Sequence, residues 1–212
     1  MVLMRGATLL RTGLLNFLVA TSEEKRLQAV AQWDLGEDEL PKIRTWYPYE
    51  VRSMRHREGP IAAINVASTG KFTRVDYSEV AEERYRIEYS ARVYLWCYTP
   101  EGEFEDVEEQ DQVRRQTTRV RDDLTAVIRS ALLGTPSLGN EEAFYFQEET
   151  LSENYSALSP VPNASGRMVA ASYLDFKVQF DESQFAIPVG AVPPGGISIV
   201  VDRLPMIVEV TS

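Results

Sequence analysis

The apolar positions of this chain change period several times along its length. Near the start, Leu3, Ala7, Leu10, Leu14, Phe17 and Leu18 recur at three- and four-residue spacing, which predicts an amphipathic helix over about residues 4–20. The same stretch offers Arg5 and Leu14–Ala20 as the charged start and apolar run of a secretion signal, but Arg11 and Asn16 interrupt that run and the helical spacing favours a helix. Ser22-Glu-Glu-Lys then reads as the cap of a second helix carrying Leu27, Val30 and Ala31. Residues 34–59 are polar and mixed, with Pro41 and Pro48 as breakers. Pro60-Ile-Ala-Ala-Ile-Asn-Val-Ala is a short apolar run bounded by Ser68-Thr-Gly70, the pattern of a buried strand.

The strictest pattern lies over Arg84–Tyr98. Tyr85, Ile87, Tyr89, Ala91, Val93, Leu95 and Cys97 alternate with Arg84, Arg86, Glu88, Ser90, Arg92, Tyr94, Trp96 and Tyr98. A period of two predicts a strand with one inward face and one charged face that turns aromatic at its end. The polar stretch 69–83 before it predicts a long hairpin tip projecting from the body. Helical spacing returns with Val113, Thr117, Val120, Leu124, Val127, Ile128 and Ala131, predicting a helix from about Glu105 to Leu133. Acids crowd its start, arginines follow, and Gly134 and Pro136 end it, all as the helix dipole and stop signals require. Beyond it, Phe144–Glu149 and Val169–Phe180 read as strands, residues 151–167 as a loop, and Pro188–Gly196 as a linker to short strands at Ile197–Val201 and Met206–Val210.

This order predicts an α+β fold, a mostly antiparallel sheet with helices packed on one face, plus a C-terminal β arm. The predicted division is a main domain over residues 1–185 and a Pro/Gly-rich arm over 186–212. The arm has too little apolar surface to stand alone, so it is expected to lie on its own domain or on a neighbour.

Composition narrows the function more by exclusion than by signal. The chain has 212 residues, 22 Lys+Arg against 32 Asp+Glu, and a formal charge of −10. Such a protein is a poor electrostatic partner for duplex DNA, which is bound by neutralising phosphates. One cysteine, Cys97, excludes an internal disulfide and multi-cysteine metal sites, and one histidine, His56, excludes paired-histidine sites. No phosphate-cradling glycine motif occurs, and no metal or other cofactor is implied. Gly134-Thr-Pro-Ser137-Leu-Gly139 resembles a nucleophile elbow only loosely, because it follows a helix where the elbow links a strand to a helix. His56 is read as a surface histidine among arginines, and Cys97 as a small core residue.

Charge is divided unevenly. Residues 1–75 hold 11 basic and 8 acidic residues, net +3, and residues 76–212 hold 11 basic and 24 acidic, net −13. Two segments stand out as candidate interfaces: the basic loop with Arg52, Arg55 and Arg57, and the acidic run with Glu101, Glu103, Glu105, Asp106, Glu108 and Glu109. The first is also readable as a solvated loop and the second as a solvated helix start. A head-to-tail ring of such subunits would set a basic patch of one copy against an acidic patch of the next.

The order of elements then acquires a likeness. An amphipathic helix, the Pro60-Ile-Ala-Ala-Ile-Asn-Val strand, the long alternating strand Tyr85–Tyr98, a helix ending Leu124-Thr-Ala-Val-Ile-Arg-Ser-Ala-Leu-Leu, and the strand Ser172-Tyr-Leu-Asp-Phe-Lys-Val-Gln-Phe follow one another. Over residues 5–182 this resembles the tail terminator (tail completion) proteins of long-tailed, siphovirus-type bacteriophages, in element order and residue texture. The resemblance implies a non-enzymatic structural virion protein. Such a protein forms a homo-hexameric ring at the head-proximal end of the tail, built in the host cytoplasm, that caps the tube of major tail tube protein. The ring stops tube polymerisation and offers its other face to the head–tail connector or stopper protein. DNA would pass through its bore without specific binding, since six copies at −10 carry −60. No membrane is implied, and no uninterrupted apolar run of about 18 residues occurs. No family residue is carried over as functional. The alternatives are another head–tail connector component (stopper or adaptor), a small cytoplasmic enzyme, and a nucleic-acid-binding module using Arg52, Arg55 and Arg57.

Overall fold

In the computed structural model, which describes residues 6–49, 59–74, 82–100, 106–138, 144–161, 167–185, 197–200 and 207–210, Gly6–Trp33 form one continuous helix, α1. Two helices were expected here, and the difference has a local cause. Ser22 is not a cap but a buried residue on the inward face, together with Leu10, Leu14, Phe17, Leu18, Arg26 and Ala29. The preceding Thr21 turns its hydroxyl onto the Phe17 carbonyl one turn back (2.7 Å), a bond that lets a hydroxyl residue sit inside a helix. The helix stops at Asp34, whose φ of 52° is left-handed. Leu35 N–H then bonds back to the Val30 carbonyl (3.0 Å) and its side chain packs on the core, the Schellman arrangement.

The second helix, α2, runs over Val107–Gly134. Asp106 caps it by accepting a hydrogen bond from Glu109 N–H (2.8 Å), and Glu108 and Glu109 lie in its positive first turn. Its buried face begins only at Thr117 and continues through Val120, Leu124, Val127, Ile128, Ala131 and Leu132. The first ten residues carry no buried side chain.

Among the described residues six strands form the main sheet: β1 (Thr45–Tyr47), β2 (Ile61–Arg74), β3 (Glu82–Tyr98), β4 (Phe144–Tyr155), β5 (Ser159–Pro160) and β6 (Met168–Phe185). Their order is β1-β2-β3-β6-β4, with β5 also on β6. Only β1 and β2 are parallel; every other pair is antiparallel. The α+β expectation therefore holds, with a mixed, mostly antiparallel sheet. Both helices cover one face. That face is built from Ala62 and Ile64 of β2, from Ile87 to Cys97 at odd positions of β3, from Leu174, Phe176, Val178 and Phe180 of β6, and from Phe146 of β4. Burying each large side chain here stabilises the fold by about 1.5–3 kcal/mol.

Several boundaries differ from the expected ones. β1 was not foreseen. β2 continues to Arg74, into the stretch expected as a hairpin tip, and β3 resumes at Glu82. β4 continues to Tyr155 and β5 follows, so the segment expected as a loop over 151–167 is largely strand as far as Pro160. β4 also carries a wide bulge: Gln147 faces Lys177 and Ser152 faces Asp175, so four residues of β4 stand opposite Phe176 alone. Thr150 closes the bulge, its hydroxyl donating to the Gln147 carbonyl (2.7 Å) and accepting from Lys177 N–H (2.8 Å).

Several polar groups buried between the helices and the sheet are paired with one another. Thr125 and Ser172 share a hydrogen bond (2.7 Å). Arg121 donates to the Ser156 carbonyl (2.6 Å) and the Ala171 carbonyl (3.4 Å), tying α2 to the sheet. Tyr89 donates its hydroxyl hydrogen to the Glu182 carboxylate beside Gly6, at the start of α1. At the C-terminus, β7 (Ile197–Val200) and β8 (Ile207–Val210) pair antiparallel as a separate two-stranded sheet, close to the expected short strands.

Candidate functional site

The sheet face away from the helices is a ladder of directly opposed charged and aromatic side chains. The even positions of β3 face the odd positions of β6, so Arg86 stands opposite Asp181, Arg92 opposite Asp175, and Tyr94 opposite Tyr173. Arg86 grips Asp181 with two hydrogen bonds (2.8 and 2.9 Å), and Arg92 grips Asp175 in the same two-pronged way (Nη2–Oδ2 2.7 Å). Both guanidinium pKa values rise above the ordinary arginine value, chiefly through the carboxylate hydrogen bonds. Lys177 reaches Glu88 (2.8 Å). Aromatic rings fill the gaps: Tyr94 stacks on Trp96 (5.3 Å), Arg92 lies over the Tyr173 ring (4.2 Å), and Arg86 lies over Tyr145 (4.8 Å). Three cations meet three carboxylates, so the charges of these opposed pairs cancel in place.

The two edges of the sheet differ in the residues they carry. β1 pairs only with Ile61–Ala63, and no described strand covers the outer side of β2 beyond them. From Ala67 to Arg74 every residue of β2 is exposed, including Phe72 at 58%. This segment carries Lys71 and Arg74 and no acid. At the opposite edge, β4 carries Glu148, Glu149 and Glu153 and no base. Glu153 is held by Arg129 (3.0 Å), whereas Glu148 and Glu149 stand exposed in the bulge.

The expected interface residues fall in three places. Arg52, Arg55, Arg57, Glu101, Glu103 and Glu105 lie outside the described residues, as does His56. Asp106 is the cap of α2, and Glu108 and Glu109 are exposed beside it. Their neighbourhood is mixed in sign: Asp111 pairs with Arg114 (3.5 Å) and Asp123 with Arg119 (3.6 Å). Shallow grooves along this helix are lined by the same alternating acids and arginines. Sequence reasoning passed over Lys71, Arg74, Glu148 and Glu149. A contrast between the base-free β4 stretch and the acid-free end of β2 was readable, but only topology makes both of them edges.

The catalytic candidates do not gather. Ser137 lies in the turn that follows α2, where Leu138 N–H bonds the Thr135 carbonyl (2.8 Å). Cys97 is buried at 2% exposure, and burial pushes its thiol pKa well above the ordinary value. Among the described residues no group of three or more His, Cys, Asp or Glu is placed to hold a metal ion. No described helix is long and apolar enough to cross a membrane. Comparison with known proteins finds no family model and no curated protein that matches this chain.

Proposed function

We propose that this chain is a structural virion protein of the tail-terminator kind, a subunit that forms a hexameric ring on the head-proximal end of a phage tail tube. In that role it stops tube growth and presents a docking surface to the head connector, with major tail tube protein and connector as its partners and DNA passing through unbound. The observation that carries this reading is surface in excess of what a monomer needs. The Ala67–Arg74 half of β2 is exposed throughout although Ile87 and Tyr89 of its partner strand are buried, and the first ten residues of α2 bury no side chain. Exposed strand edges are ordinarily blunted or covered, and pairing with another copy is one way to cover them. The sequence resemblance supplies the particular assembly, and the net charge of −10 suits a bore through which DNA slides.

The test combines the purified chain with tail tube subunits, and reads native mass and electron micrographs. Six-fold rings seated at one end of tubes of limited length are expected. A strict monomer that leaves tube length unchanged would end the proposal. Six-fold rings bound only to connector subunits would move the chain to the stopper class.

A further inference from the structure

The two helices lie on the same face of the sheet, yet their exposed sides differ in kind. α2 turns Glu108, Asp111, Arg115, Arg119, Asp122 and Arg129 to solvent, the charged exterior ordinary for a surface helix. On α1 the exposed positions Thr8, Thr12, Asn16, Val19 and Ala20 recur at three- and four-residue spacing and form one stripe, flanked by half-buried Leu9 and Leu15. From Gly6 to Ser22 the helix carries a single charge, Arg11. Val19 is 48% exposed, and Leu27 beyond it 44%. Resting on the ring reading above, we propose that this stripe is the seat of the C-terminal β7–β8 ribbon of the next copy, so that each subunit holds its neighbour by an arm laid across α1.

In the ribbon, register sets Ile197 opposite Val210 and Ile199 opposite Val208, so these four aliphatic positions share one face, while Ser198 and Glu209 share the other. An uncharged ribbon face thus meets an uncharged helix face. Four-residue strands span about 13 Å, and Thr8 to Val19 spans about 16 Å of helix, so one ribbon covers the stripe. The ribbon pairs with no strand of the main sheet among the described residues, and two short strands alone are marginal in water. Its tether is long enough: β6 ends at Phe185, and residues 186–196 extend to at most about 40 Å. Within one chain Val19 and Leu27 stay exposed with the ribbon present, so the occupant comes from another copy. Other seats fit less well. The exterior of α2 and the open sheet face carry charges that an aliphatic face would desolvate. The exposed half of β2 is broken by two register shifts, which blunt it as a strand acceptor. An arm on a stripe joins two different surfaces, and such a contact propagates around a ring.

The test uses the full chain, read by native mass with tube subunits present. T12E/V19E places two carboxylates on the stripe and should weaken ring association at least about tenfold. Both positions are exposed and glutamate is a good helix former, so far-ultraviolet circular dichroism and thermal midpoint should match the parent chain. If the midpoint falls, N16K/A20K carries the same test on the same stripe. Removing residues 186–212 from T12E/V19E should add no further loss, because both changes break one contact. For the contact itself, T12C and I199C chains are mixed and oxidised; with Cys97 buried, a disulfide-linked pair of unlike chains is expected. T12C/I199C chains that close on themselves as linked monomers would seat each ribbon on its own α1 and overturn the second-copy assignment. Losses that multiply, or a mixture that yields no unlike pair, would refute the α1 seat and leave the ring standing. Rings that persist in T12E/V19E but no longer cap tubes would give the stripe to the tube subunit and likewise refute it. A parent chain that stays monomeric with tube subunits present would overturn both readings.

Discussion

Arg86 and Asp181 face each other across the central strand pair and lock together through two parallel hydrogen bonds of 2.8 and 2.9 Å. The Asp181 side chain is only 9% exposed, so its charge depends on that partner. Truncating the arginine strands a largely buried carboxylate, whereas removing the carboxylate leaves a guanidinium that still reaches water. Arg86→Ala is therefore expected to cost more than Asp181→Asn, by about 1–2 kcal/mol. Urea midpoints at constant slope measure the difference, and equal losses would show that the pair is solvent-screened.

Gly6 begins α1 where the Tyr89 hydroxyl and the Glu182 carboxylate already occupy the space. A β-carbon added there would lie 2.0 Å from Tyr89 Oη and 2.5 Å from Glu182 Oε1. Alanine in place of helical glycine ordinarily gains up to about 1 kcal/mol. Gly6→Ala should instead destabilise, because Tyr89 and Glu182 are each 3% exposed and hold one another in place. In a double-mutant cycle by thermal melting, Tyr89→Phe should recover part of that loss. Independent effects would show that the crowding is relieved elsewhere.

Two carboxylates on the helices have opposite pH signatures. The Arg26 hydrogen bond holds Glu23 below its ordinary value of 4.5, so its contribution is full above that value and fades as pH falls through the lower folded value. Burial raises Asp123 above 3.8 despite Arg119, so its ionised form costs stability at neutral pH and protonation relieves that cost. Glu23→Gln should therefore lower the melting temperature at pH 7 and flatten its acid decline. Asp123→Asn should raise the melting temperature at pH 7, with the gain vanishing in acid. Both shifts are expected to be below about 1 kcal/mol.

Cys97 should be silent to thiol reagents in the folded chain. It lies on the core face of β3 at 2% exposure, and burial raises its pKa far out of the reactive range. Labelling by a disulfide-exchange dye should appear only with denaturant, in step with the loss of near-ultraviolet signal. Rapid labelling of the native protein would mean that the helix layer opens.

Removing residues 186–212 should spare the main sheet and weaken assembly. Described strands β7 and β8 pair with each other, and a four-residue hairpin is marginal in water without a further surface to rest on. Melting of the truncated chain close to the parent, with fewer rings by native mass, is the expected pair of results. A truncated chain that fails to fold would make the arm part of the core.

How much of this was legible beforehand follows from how local each signal is. β3, β6 and α2 are written in one period over twelve residues or more, and the core they build is the one their apolar positions mark. β1 left no trace because Thr45–Tyr47 is three residues long and is a strand only by virtue of its parallel partner. The false boundary at Ser22 arose because a hydroxyl that caps one helix can be buried inside another, and the sequence pattern is the same in both cases. The far half of β4 was hidden by its bulge, which breaks alternation at Glu148–Leu151. Of the expected interface residues, Asp106 proves to be a capping group, and the edge charges became visible only when the strand order put β2 and β4 at opposite sides.

The bulge on β4 also acts as an index mark. With four residues gathered opposite Phe176 and pinned by the Thr150 hydroxyl, the strand cannot slide by two positions along β6 without dragging the extra loop onto a regular stretch. Misaligned pairings of the kind that seed fibres are thereby disfavoured, and Glu148 and Glu149 are held at one fixed height along the edge.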